Sequence, residues 1–89
     1  MNNDKTMLVN EIEDSSYRWL NITGFSDGND LLDFMLRSEN VSLEDEDIVV
    51  IETSQLTFRI YLPKTIEYDK DWDTYDFTSY GIDYVFKFM

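Results

Sequence analysis

An 89-residue chain with 19 acidic residues against seven basic ones carries a formal charge of −12. That balance excludes direct binding to DNA or RNA, whose affinity comes from neutralising phosphates with Lys and Arg. The absence of cysteine and histidine excludes disulfides and thiolate metal sites and removes the commonest general base.

At 43% hydrophobic and 16% aromatic, the chain is rich enough for one core and too short for two. Residues 1–89 therefore read as a single domain. The N-terminal stretch MNNDKTMLVNEIEDSS has no apolar run of signal-peptide length. A cytosolic protein with no membrane association is expected.

Residues 1–5 are polar and read as a frayed end. Over Thr6 to Ile12 the apolar residues Met7, Leu8, Val9 and Ile12 fit neither period cleanly; a short helix is possible, and a strand is the expectation. Asp14-Ser15-Ser16 reads as a turn. Tyr17 to Ile22 alternates as a strand, and Gly24 breaks it.

Ser26 or Asp27 then caps a helix over 27–38, with Asp27 and Asp30 near its positive end and Arg37 in its last turn. Leu31, Leu32, Phe34, Met35 and Leu36 form its apolar stripe. Glu39 to Asp47 reads as an acidic loop anchored by Val41 and Leu43. Ile48 to Ile51 is an uninterrupted apolar run, as in a central strand covered on both faces. Thr53-Ser54-Gln55 connects it to the period-two strand Leu56 to Leu62, which Pro63 ends. Beyond Gly81, Ile82, Tyr84, Phe86 and Phe88 share one face of a C-terminal strand. These elements make an α+β fold: a mainly antiparallel sheet of four or five strands with one main helix, about 27–38, packed on one face.

The stretch Glu67 to Tyr84 interleaves Glu67, Asp69, Asp71, Asp73, Asp76 and Asp83 with Tyr68, Trp72, Tyr75, Phe77, Tyr80 and Tyr84. Disordered acidic tails lack such rings. The stretch therefore reads as a folded, exposed lid, pinned to the sheet by the aromatics that must be buried. Counting a calcium loop from Asp69 puts Thr74 where Gly is needed and Tyr80 where Glu is needed, so no metal is expected. Paired acids alone do not define a glycosidase in a chain with this many carboxylates. No phosphate loop or nucleophile elbow is present, so a non-enzymatic protein without cofactors is expected.

In an extended segment, residues two apart stand about 6.6–6.8 Å apart on one face, comparable with the backbone path between phosphates. Asp69, Asp71 and Asp73 would imitate a short phosphate row. Glu44, Asp45, Glu46 and Asp47 would supply a second if the fold brings both to one side. The plainer reading of such runs is a solvated face that keeps an aromatic-rich protein soluble.

This acidic, aromatic character resembles the DNA-mimic inhibitors of phages and mobile elements, of the anti-CRISPR and antirestriction kinds. Over Tyr17 to Ile51, the order of a strand with Trp19-Leu20, an acid-capped helix from Asp27 or Asp30, and the acidic turn Glu44 to Asp47 before an apolar strand is similar to one module of ArdA-type antirestriction proteins. The resemblance implies a non-enzymatic inhibitor, in the bacterial host cytosol if phage-encoded. It would act as a monomer or homodimer that occupies the basic nucleic-acid groove of a CRISPR or restriction nuclease.

The expected partner-binding residues are Glu44, Asp45, Glu46, Asp47, Glu67, Asp69, Asp71, Trp72, Asp73, Tyr75 and Asp76, the rings adding short-range affinity. An immunity protein against a basic nuclease toxin, or a small acidic adaptor or assembly subunit, is the alternative.

Overall fold

The computed structural model describes residues 4–14 and 16–89. The polar residues 1–3 of the expected frayed end, and Ser15 at the centre of the expected turn, lie outside the described residues. The chain opens with α1 (Asp4–Asp14) and continues through eight strands: β1 (Trp19–Ser26), β2 (Asn29–Arg37), β3 (Val41–Asp45), β4 (Ile48–Glu52), β5 (Thr57–Tyr61), β6 (Glu67–Asp69), β7 (Thr74–Ser79) and β8 (Ile82–Phe88). They form a five-stranded sheet in the order β2-β1-β8-β7-β6 and a three-stranded sheet in the order β3-β4-β5. Every pairing is antiparallel. The class is α+β with mainly antiparallel sheet, as the sequence indicates.

The helix is not where the apolar stripe put it. Residues 29–37 form β2, the hairpin partner of β1, and 4–14 form α1 instead of a strand. Asp27 and Gly28 both hold positive φ, 53° and 79°, as a two-residue type I′ hairpin turn requires and as an Asp-Gly pair favours. Leu32, Phe34 and Leu36 then face the core, while Leu31, Asp33, Met35 and Arg37 face out. The exposed Leu31 and Met35 hide this alternation in the sequence.

In α1, Leu8, Val9 and Ile12 are buried, a spacing that a helix brings to one face. Eleven residues are marginal for an isolated helix, and Glu11, Glu13 and Asp14 near its C-terminus oppose the macrodipole. Packing therefore holds this helix, helped by the Asp4 carboxylate, which accepts from Tyr68 N–H at 3.0 Å.

Two further expectations change. The acidic loop 39–47 contains β3, preceded by a single 3-10 turn, Ser38–Asn40. The stretch 67–84 is no lid, since β6, β7 and the start of β8 are members of the larger sheet. The β4–β5 hairpin and β8 lie where the sequence places them, and β4 is the central strand of its sheet, with Val49, Val50 and Ile51 buried.

One core joins all three layers. Leu8 and Ile12 from α1 and Leu20, Ile22, Tyr75 and Phe86 from the larger sheet meet Val49, Ile51 and Ile60 from the smaller one. Tyr80 and Gly81, with φ of 51° and 79°, close the β7–β8 hairpin with the same turn geometry as Asp27-Gly28. Among the described residues no helix is long and apolar enough to cross a membrane.

Candidate functional site

The larger sheet turns one face to the core and leaves the other open. Alternation along the strands decides which residues it shows. Cross-strand partners define one row, Asp33–Thr23–Val85–Asp76–Glu67, which crosses all five strands. Beside it runs Asp30–Phe25–Asp83–Thr78, and Asp69 lies two residues from Glu67 on the same face. Six carboxylates thus share one sheet face with Lys87 and, at its rim, Arg37. Asp30, Asp33 and Asp83 join this face only through register. Their division between β2 and β8, about fifty residues apart in the chain, left no local signal beyond the turn chemistry of Asp27-Gly28 and Tyr80-Gly81.

Asp76 is the most constrained of these acids. Its Oδ1 is buried without a hydrogen-bond partner, while the Thr74 side chain bonds to the same carboxyl. Burial first, then the charges of Asp69 and Glu67, push its pKa above the ordinary carboxylate value. Glu67 stands directly opposite it, and like charges opposed across strands are destabilising. Asp76, Glu67 and Asp83 also line a shallow depression of about 550 Å³, with Phe25, Pro63 and Val85.

A raised carboxylate pKa means that the native state holds a proton more readily than the unfolded chain. Stability is therefore lost as pH rises from the ordinary value through the raised one. Asp76→Asn is expected to raise the melting temperature at pH 7, with the gain shrinking as pH falls through that window. Thermal melts of both proteins from pH 3 to pH 7 test this, and a gain that persists undiminished at the acid end would contradict it.

The remaining expected contact residues divide by place. In the β6–β7 connection, Asp69 Oδ1 accepts from Asp71 N–H at 3.0 Å. The Tyr68 hydroxyl donates to Asp73 Oδ1 at 2.6 Å, which holds the phenol's pKa up. Asp73 has φ of 56°, so Asp69, Asp71 and Asp73 follow a turn and do not form the extended row expected of them. Trp72 at its tip is 69% exposed. Tyr75, expected as a contact, is 1% exposed and belongs to the core. It stacks near Tyr68 and Phe88, shares a hydrogen bond with Glu11, and has its pKa raised chiefly by burial. β7 alternation turns it inward with Phe77, opposite Asp76.

Glu44 to Asp47 lie elsewhere. Glu44 pairs with Arg59 at 3.1 Å, Asp45 Oδ1 accepts from Asp47 N–H at 2.7 Å, and Asp47 pairs with Lys5. Glu46 occupies the turn between β3 and β4. Asp47 borders a second depression with Thr78, Ser79 and Tyr80, whereas Asp73 precedes Thr74 at the other end of β7, about 17 Å away along the strand. The two acidic runs sit at opposite ends of the larger sheet. The charged surface that does assemble is the open sheet face, to which only Glu67, Asp69 and Asp76 of the expected set belong.

Among the described residues no group of three or more acidic side chains could hold a metal ion. No family model matches the chain, and neither the curated proteins nor the solved structures contain a significant match. The helix that carried the similarity to an ArdA module is β2, so that ordering does not survive in the fold.

Proposed function

We propose that the protein is a non-enzymatic inhibitor that mimics the phosphate charge of a nucleic acid and blocks the basic DNA- or RNA-binding groove of a host defence nuclease in the bacterial cytosol. The observation that carries this reading is the open sheet face, where Asp30, Asp33, Glu67, Asp69, Asp76 and Asp83 gather on one rigid surface. Rigidity matters because a partner's Lys and Arg side chains then meet charges already fixed in place, at less ordering cost than a flexible acidic tail would demand.

The arrangement also has a spacing. Asp33 and Asp76 are three strand intervals apart in one row, about 14 Å, with Thr23 and Val85 between them. That is of the order of the roughly 12 Å width of the B-DNA major groove. Phe25 and Val85 supply apolar contact beside the charges, as interfaces with fully buried centres do. The cost of the design is self-repulsion at a charge of −12.

The test uses a panel of purified CRISPR effectors and restriction nucleases, each with a labelled nucleic-acid substrate. At least one should lose substrate binding to the protein in competition, with affinity falling about tenfold or more between 50 and 300 mM salt. Joint replacement Glu67→Gln, Asp69→Asn and Asp83→Asn should weaken it by about tenfold or more. Neutralising Glu13, Asp14 and Glu52, which lie off the face, should change it less than about twofold. Binding that ignores salt and is not displaced by nucleic acid would refute the proposal, as would equal losses from the two sets.

A further inference from the structure

The two edges of the larger sheet differ in protection. β6 is three residues long, and its Tyr68 N–H is already taken by the Asp4 carboxylate of α1. β2 is nine residues long, the longest strand, and pairs with β1 alone. Natural edges are blunted by charged side chains, Pro, bulges, shortness or a covering element; β2 has a bulge, but only at its start, opposite Gly24 and Phe25, and it pairs regularly from Leu32 to Arg37. NDLLDFMLR has no Lys or Pro, and it exposes Leu31 at 55% and Met35 at 54%.

We propose that β2 is a homodimer interface, in which two copies pair this strand antiparallel about a two-fold axis at Met35 to form one continuous ten-stranded sheet. This inference stands apart from the proposed function and needs no nuclease.

The register follows from backbone direction and charge. The Asn21 side-chain amide donates to the Phe34 carbonyl at 3.1 Å, so that carbonyl points toward β1. Alternation along an antiparallel strand then turns the N–H and C=O groups of Asp33, Met35 and Arg37 to the free edge. A two-fold axis perpendicular to the sheet keeps the outer faces on one side, and centring it on Met35 sets Asp33 opposite the partner's Arg37, twice. The two exposed Met35 side chains meet at the axis, and on the inner side Phe34 faces the partner's Leu36.

Centring on Asp33 would oppose two carboxylates, which is destabilising. Centring on Phe34 would put Asp33 opposite the partner's Met35 and Leu31 opposite the partner's Arg37, leaving the charges only diagonal. Arg37 is available for the role: its guanidinium lies over the Trp19 ring at 5.0 Å. The ion pairs among the described residues, Lys5–Asp47 and Arg59–Glu44, do not include it. In the dimer it would lie between Trp19 and the partner's Asp33, and the acidic outer faces of the two copies would become one surface.

Sedimentation equilibrium of the full chain at 0.15 M salt, where repulsion between the two acidic copies reaches only about 8 Å, should give twice the 10.6 kDa chain mass at high concentration. Arg37→Glu should weaken the dimer about tenfold or more by placing like charges opposite each other twice. The combined swap Asp33→Arg with Arg37→Asp should restore it.

The chain contains no cysteine, so Met35→Cys should cross-link to itself under mild oxidation. Paired residues at that axis have Cα atoms about 5.5 Å apart, within the range of a disulfide. Leu31→Cys, equally exposed on the same strand, should not. A monomeric mass throughout, a charge swap that fails to restore association, or Leu31→Cys cross-linking as readily as Met35→Cys would each overturn the assignment. Circular dichroism of every variant distinguishes lost pairing from lost folding.

Discussion

Phe86→Ala is expected to cost about 3–5 kcal/mol and to leave much of the population unfolded at room temperature. Phe86 is fully buried in β8, the middle strand of the larger sheet, between Ile22 on β1 and Tyr75 on β7. Its ring centre lies 5.3 Å from that of Phe77. A chain of 89 residues has a total stability of about 4–13 kcal/mol, and self-repulsion pushes this one toward the lower end. Removing the ring leaves a cavity among strands tied by backbone ladders on both sides, so collapse fills little of it. Urea denaturation followed by circular dichroism measures the loss. A change below about 1 kcal/mol, the typical cost of a point substitution taken over a whole protein, would contradict the position of Phe86 in the core. Trp72→Ala at the exposed turn is the matched comparison, expected to move stability by less than about 0.5 kcal/mol.

Gly24→Val is expected to destabilise through overpacking, by about 1–3 kcal/mol, a fall in melting temperature of about 5–20 °C. Gly24 faces the core within β1, with Leu32 opposite on β2 and Tyr84 opposite on β8. A Cβ there would lie 3.0 Å from Leu32 Cγ, 3.2 Å from Leu32 Cδ1 and 3.3 Å from Ile82 Cγ2. Leu32 can shift a few tenths of an ångström for one methyl group, so Gly24→Ala should fall at the mild end. The branches of valine meet Leu32 and Ile82 together, and a shift of a few tenths of an ångström no longer makes room for them. Equal melting temperatures for the valine variant and the parent would show that the space is larger than these distances allow.

Gly24 also illustrates how the sequence misleads. A glycine after an apolar run reads as a strand break, yet here it continues β1 because Leu32 and Ile82 need the room. The break falls three residues later, at Asp27-Gly28, where positive φ at both positions closes a hairpin. The expected helix from 27 to 38 failed for a related reason. Leu31, Leu32, Phe34, Met35 and Leu36 are apolar at nearly every position, and a free sheet edge tolerates Leu31 and Met35 on its open side, so neither period stands out. Conversely, the clear alternation of Leu56 to Leu62 and Ile82 to Phe88 was legible because each strand has one face in the core and polar residues on much of the other.

For the candidate site the same division holds. That Glu67, Asp69 and Asp76 are displayed was readable from local charge, and burial of several rings between 67 and 84 followed from the small size of the chain. Tyr75 could not be sorted from Trp72 by composition, since both are aromatic residues among acids; strand phase sends one into the core and a turn sends the other to solvent.

What the sequence by itself determined is the acidic character, the lack of cysteine and histidine chemistry, the α+β class, the β4–β5 hairpin and the C-terminal strand β8. These depend on composition and short-range alternation, which are local properties. Only the tertiary structure decided that Asp30, Asp33 and Asp83 stand beside Glu67, Asp69 and Asp76, and that Glu44 to Asp47 do not. Side-by-side pairing of β2, β1, β8, β7 and β6 joins residues far apart in the chain, and a shift of one residue in any of these registers would have turned that strand's acids toward the core.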